Sequence, residues 1–238
     1  IHDWKHLRKT LNRPEEEGIN PVTGNTRFLD HLIHLQGNLT PDKMRQYDEH
    51  IVKYTRQIGE NRGGLTWKYF QYLSLLFTEM YLDRYFNDRE GLCADLNAFM
   101  TKLYDESMGL IEFNEPFSTE RMNKLAFMCA TGSGKTLILH VNLLQYLYYM
   151  RLARRADSRI SINKVILLTP NEGMSRQHED ELKLSCIRAA IFQKEGGQDA
   201  KEGDVCIIDI NKLDEEGKDK TVSVDSFERN NLLLVDEG

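Results

Sequence analysis

No stretch of the 238 residues approaches the ~20 consecutive apolar positions that a membrane-crossing helix needs. The opening IHDWKHLRKT has neither an initiator Met nor the apolar core of a signal peptide, so it reads as an internal start. Basic residues are not in excess: Lys+Arg number 31 against Asp+Glu 37, a net charge of -6. That removes any global sign of nucleic-acid binding, although a basic groove can exist on an acidic protein. The four cysteines, Cys93, Cys129, Cys186 and Cys206, form no Cys-x-x-Cys pair. They read as buried free thiols of a reducing, cytoplasmic compartment rather than a zinc site or a disulfide framework. Internal repeats and low-complexity segments are absent as well. What remains is a 40% hydrophobic chain, enough for a globular protein with a real core.

Two halves with different patterns follow. From Ile1 to about Leu39, Pro14, Gly18, Pro21, Gly24 and Gly37 punctuate an irregular arm with short helices. Thr40 before Pro41 and Asp42 is a helix-start signal, and Met44, Tyr47, Ile51, Tyr54 and Ile58 then recur at helical spacing until Gly63-Gly64. LTWKYFQYLSLLFTEMYLDRYF and DREGLCADLNAFMTKLYDE predict two further helices. After STERMN the pattern changes to short apolar runs, KLAFMCA, KVILLTP, CIRAAIFQ, DVCIIDI and NLLLVDE, alternating with helical segments. Such alternation predicts an α/β fold with a parallel sheet covered on both faces. The predicted long helix from Lys135 to about Leu152 is apolar around most of its circumference, so more than the sheet must bury it. The N-terminal helices are the obvious second cover. Residues 1–118 therefore read as a mostly helical region packing on a domain at 119–238.

Within FMCATGSGKT the chemistry is specific. Polyphosphate is gripped by several main-chain N–H groups aimed at one point, and side chains would block the approach. Gly132 and Gly134 answer that need, with the small Thr131 and Ser133 between them. A helix starting near Lys135 adds its positive end, the Lys135 ammonium reaches the β- and γ-phosphates, and the Thr136 hydroxyl can ligate Mg2+. The first position of the general pattern is Cys129 in place of Gly. Far downstream, NLLLVDEG carries Asp236 and Glu237 to the C-terminal end of a strand, on the edge of the sheet where the loop also sits. Asp236 would hold Mg2+, and Glu237 would polarise the attacking water. ATP and Mg2+ are the cofactors these residues imply.

CATGSGKT, VILLTPNEGMSRQHEDEL and LLLVDEG resemble motifs I, Ia and II of superfamily 2 DEAD/DEAH-like helicases and translocases. The nearest resemblance is to the helicase subunit of type III restriction enzymes. It implies a RecA-like P-loop NTPase fold, three layers about a parallel sheet, acting as the first of a pair of motor domains. It further implies an ATP hydrolase dependent on nucleic acid, with double-stranded DNA as partner and a prokaryotic restriction or defence setting. Motifs III to VI and the arginine finger of a second RecA-like domain do not occur, so the chain reads as truncated after motif II and nearly inactive alone. Gln71 resembles the superfamily's adenine-reading glutamine; otherwise it is a surface residue of an amphipathic helix. Thr169, Pro170 and Asn171 stand where motif Ia meets nucleic-acid phosphate, or form an ordinary strand-to-helix cap. Asp209 stands where the motif Ib residue is commonly Thr, and an acid meets phosphate badly. The alternatives to a DNA motor are a packaging or protein-remodelling P-loop ATPase and a regulatory nucleotide-binding module.

His31 and His34 have a metal-like spacing with no further ligand nearby and read as structural or surface residues. The arginines from Arg151 to Arg159 suit a solvated helix end. Tyr146, Tyr148 and Tyr149 read as packing between layers.

Overall fold

The computed structural model describes residues 4–34, 39–108, 110, 115–192, 204–214, 222–223 and 229–236. Helices dominate the first half: α1 (Trp4–Leu11), α2 (Arg27–Leu32), α3 (Pro41–Gly59), α4 (Tyr69–Asn87) and α5 (Arg89–Glu106). The α3 start is as the sequence predicts, with Thr40 capping through a bond from Lys43 N and Pro41 at the first helical position. Its periodic stripe of Met44, Tyr47, Ile51, Tyr54 and Ile58 is buried throughout. These residues pack with Tyr72, Leu75 and Leu76 of α4 and with Phe28 and Leu29 of α2. Each fully buried aliphatic side chain there contributes on the order of 1.5–3 kcal/mol.

The second half holds α6 (Lys135–Ala156), β1 (Val165–Thr169), α7 (Glu172–Leu184), β2 (Ala189–Ile191), β3 (Val205–Asp209), β4 (Leu213–Asp214), β5 (Val222–Ser223) and β6 (Leu232–Val235). The main sheet has the order β2-β3-β1-β6, every pair parallel. One register row runs Val205, Val165, Leu232 across three strands. A sheet of this kind with flanking helices, preceded by a helical region, is an α/β fold of the RecA-like kind.

α6 is buried on two sides, which explains its near-uniform apolarity. Ile138 and Val141 join the core of α3 and α4. Leu143 joins a second core formed by Val165, Leu167, Val205 and Ile207 of the sheet and Leu182 of α7. The three tyrosines pack between layers as predicted: Tyr149 is buried, Tyr148 meets the His50 ring edge-on at 4.4 Å, and Tyr146 meets Phe86.

Polar groups are also buried between the helices. Asp48 of α3 takes bonds from Thr26 N at 2.9 Å, from the Thr26 hydroxyl and from Tyr72 OH at 2.7 Å. Burial pushes its carboxyl above the usual range, against those bonds. Glu79 of α4 is fully buried and accepts from Tyr149 OH at 2.6 Å, with His50 Nδ1 at 3.1 Å.

Two expectations need correction. KLAFMCA is not a strand: residues 124–130 carry no regular structure, and Leu125, Phe127 and Met128 are 45%, 41% and 100% exposed. A strand exists only when its main-chain groups are paired, and no described residue pairs the outer edge of β6. The sheet has flanking helices as expected, with α6 and α7 meeting one face through Leu143 and Leu182. Its second face holds Ile166, Cys206 and Ile208 against Leu168, Phe192 and Leu213, and leaves Leu233 and Val235 about half exposed. The cysteines are free, but only Cys93 and Cys206 are buried; Cys129 is partly open and Cys186 exposed. Among the described residues no helix is long and apolar enough to cross a membrane.

Candidate nucleotide-binding site

The glycine loop folds as its residues require. Gly132 has φ +73° and Gly134 φ +82°, the left-handed region that side chains disfavour. Gly134 is the residue from which α6 springs, and its carbonyl accepts from Leu137 N and Ile138 N at 3.1 Å. The helix therefore begins at Lys135, so its positive end faces the loop. Thr131 and Gly132 are exposed, and nothing lies within 4 Å of where a Cβ on Gly132 would stand. Ser133 Oγ, by contrast, is buried and has no hydrogen-bond partner among the described residues. An open loop of this shape, with an orphaned hydroxyl, fits an anionic ligand with accepting oxygens.

Asp236 arrives at the same place from the other end of the chain. It follows β6 directly, where Val235 lies opposite Leu168 of β1, so it sits at the C-terminal edge of the sheet. Its side chain is mostly buried, and Lys135 and the Thr136 hydroxyl lie close enough to act on it. The strongest influence is His178 of α7, whose Nε2 lies 3.0 Å from Asp236 Oδ2. That is ion-pair distance, with the N–H direction missing the ideal hydrogen-bond line. His178, then Lys135 and Thr136, hold the Asp236 carboxyl below the usual carboxylate range, with burial opposing. Thr136 and Asp236 are thus brought together as a hydroxyl and an ionised carboxylate, a hard-oxygen pair suited to Mg2+. Glu237 lies outside the described residues.

Gln71 also reaches the loop. As the third residue of α4, it accepts from Lys68 N at 2.8 Å through Oε1 and donates from Nε2 to Ser133 O at 2.7 Å. Both ends of its carboxamide therefore engage main chain. A Cβ on Gly134 would lie 2.6 Å from that Nε2, so a side chain there would displace the carboxamide from Ser133 O.

The Thr169–Asn171 corner has its side chains turned to local structure. Thr169 is buried, with Oγ1 2.7 Å from Ser175 Oγ, and Asn171 Oδ1 caps α7 by accepting from Met174 N at 2.9 Å. Pro170 is exposed, and its carbonyl accepts from Asn211 Nδ2 at 3.0 Å. Asp209 Oδ1 accepts from Asn211 N at 2.9 Å, capping the turn after β3. His31, discounted as a ligand, lies 2.7 Å from Glu16 Oε2.

Sequence reasoning passed over His178, which sits inside a segment that reads simply as a polar helix. The available signal was spacing: Ser175, His178, Leu182 and Ser185 lie three or four apart, one face of α7, and all are buried. His140 of α6 meets that face, its Nδ1 2.8 Å from Ser185 Oγ. Burial, then the neighbouring Arg62 and His178, lower its pKa to about 3, so it is neutral. Arg62, beyond α3, closes the row from the helical side by donating to Ser185 Oγ at 3.0 Å and Glu181 O at 2.9 Å.

The family model described as type III restriction enzyme, res subunit, matches residues 92–238. No curated protein and no solved structure matches the chain.

Proposed function

The chain belongs to the type III restriction enzyme res-subunit family, whose helicase-like domain binds ATP, and from that premise we propose that it is the nucleotide-binding half of an ATP-driven motor on double-stranded DNA. One observation supports the site most directly. Lys135 and Thr136 act on Asp236, a hundred residues away in sequence, although nothing local requires them to meet. In this reading the amides of Thr131 to Lys135 and the Lys135 ammonium hold the phosphates, and Thr136 with Asp236 holds Mg2+. Bound Mg2+–ATP supplies the reactive phosphoanhydride. Glu237 orients the attacking water. An arginine from a second RecA-like domain completes the site, so hydrolysis without it is slow by about 10³–10⁵. Duplex phosphate meets main chain at the start of α7 rather than the side chains of Thr169 and Asn171, which are engaged in capping. Glu172 and Asp209 beside that corner would repel phosphate from a side-chain contact.

The test is ATP turnover by the full-length protein with and without duplex DNA. Stimulation by DNA that disappears in Lys135→Ala and in Glu237→Gln is the expected result. Hydrolysis indifferent to any polymer overturns the motor reading in favour of a remodelling or packaging ATPase. Tight nucleotide binding without turnover marks a regulatory module.

A further inference from the structure

We propose that His178 is the positioning residue of the metal-binding carboxylate: held on α7, its imidazole fixes Asp236 through Oδ2 and so presents the carboxylate to Thr136 and Mg2+. This rests on the reading of Asp236 as the metal-holding residue.

The physical case begins with burial. The side chains of His178 and Asp236 are 2% and 9% exposed, with 3.0 Å between Nε2 and Oδ2. A carboxylate withdrawn from water to that degree needs a partner on the protein side, or its ionised form is penalised. Lys135 and Thr136 belong to the loop that receives the ligand. His178, the strongest of the groups acting on Asp236, comes instead from α7. It cannot swing away easily. Leu182, one turn further along α7, is fully buried in the sheet core. Ser185, two turns along, is fixed by His140 Nδ1 and Arg62 Nη1. His178 is not itself a third metal ligand in a ready-made cage, because the described residues form no cluster of three His, Cys, Asp or Glu side chains. It acts as the outer partner that sets a ligand's direction, a role whose loss costs about 10- to 100-fold in metal affinity elsewhere.

The arrangement has a structural consequence. α7 begins at the Thr169–Asn171 corner and carries His178 about two turns later. One rigid helix thus runs from the proposed DNA contact to the partner of the proposed metal ligand.

The experiment titrates a fluorescent ADP analogue against the protein in EDTA and in Mg2+. In wild type, Mg2+ tightens binding, and Asp236→Asn abolishes that gain. We expect His178→Leu to bind the nucleotide normally in EDTA while losing about 10-fold or more of the Mg2+-dependent gain. His178→Gln, which keeps an amide donor near the position of Nε2, should recover most of it. The double variant with Asp236→Asn should be no worse than Asp236→Asn alone. A folded His178→Leu protein with the full Mg2+ gain overturns the proposal, as does an equal loss in EDTA. Independently of any variant, the His178 ring resonances of the wild-type ADP complex should shift on adding Mg2+; unchanged resonances also overturn it. Failure of the underlying reading looks different: no nucleotide binding in wild type, or a Mg2+ gain that survives Asp236→Asn.

Discussion

Replacing each loop glycine by alanine separates backbone strain from contact with the helical region. Gly132 and Gly134 both hold positive φ, +73° and +82°, so a Cβ at either should cost about 1–2 kcal/mol. At Gly132 nothing else is disturbed, because no atom lies within 4 Å of the new methyl. At Gly134 the methyl would fall 2.6 Å from Gln71 Nε2. The carboxamide can move, but only by giving up its 2.7 Å bond to Ser133 O. That loss adds about 1 kcal/mol. Urea unfolding should therefore rank Gly134→Ala below Gly132→Ala by about 1 kcal/mol, with both below wild type. The gap should close in a Gln71→Ala background, where there is no amide to displace. Equal costs for the two alanines in both backgrounds would refute the claim that α4 braces the loop. The same proteins report on nucleotide binding. A brace lost at Gln71 weakens ATP and GTP alike, whereas the adenine-reading role expected from the sequence predicts a loss confined to ATP.

His140 provides a pH signature. Its native pKa is lowered to about 3 from 6.5, so below about pH 6.5 the unfolded chain takes up a proton that the native protein refuses, and stability falls with acidification. Between pH 7.5 and 5 that removes about 2 kcal/mol; His140→Gln, which keeps a partner for Ser185, should lose about that much less over the same interval by urea titration, and an unchanged slope would contradict a neutral buried imidazole. Arg62→Ala should lower stability by about 2–3 kcal/mol, since Nη1 meets Ile58 O at 2.6 Å and Ser185 Oγ at 3.0 Å while Nη2 meets Glu181 at 2.9 and 2.5 Å. Arg62→Lys, lacking the planar fork, should recover less than half of that loss in the same unfolding measurement.

What the sequence disclosed depends on how local each constraint is. The α3 stripe, the Thr40 and Asn171 caps and the glycine loop are decided within a few residues, by side-chain period, one hydrogen bond or one dihedral angle. Each is legible in an isolated segment. The run KLAFMCA has the composition of a strand, but pairing decides strands, and no described strand flanks the open edge of β6. Composition could not reveal that. The same reasoning divides the site. Of the residues expected to face the nucleotide, Lys135 and Thr136 stand close enough to Asp236 to lower its carboxyl pKa, and their types were readable because chemistry restricts them. The groups that hold them in place come from unrelated positions: Gln71 lies 62 residues from the carbonyl it grips, and His178 and Arg62 sit in segments that read as ordinary polar helix or turn. A buried histidine or glutamine has no spacing of its own to announce it, since its partner is chosen by tertiary packing. The helical first half, unreadable in function from its sequence, thereby gains one physical role. Through Gln71 it grips the glycine loop at Ser133 O, and through Arg62 the C-terminal end of α7, the helix that carries His178 to Asp236.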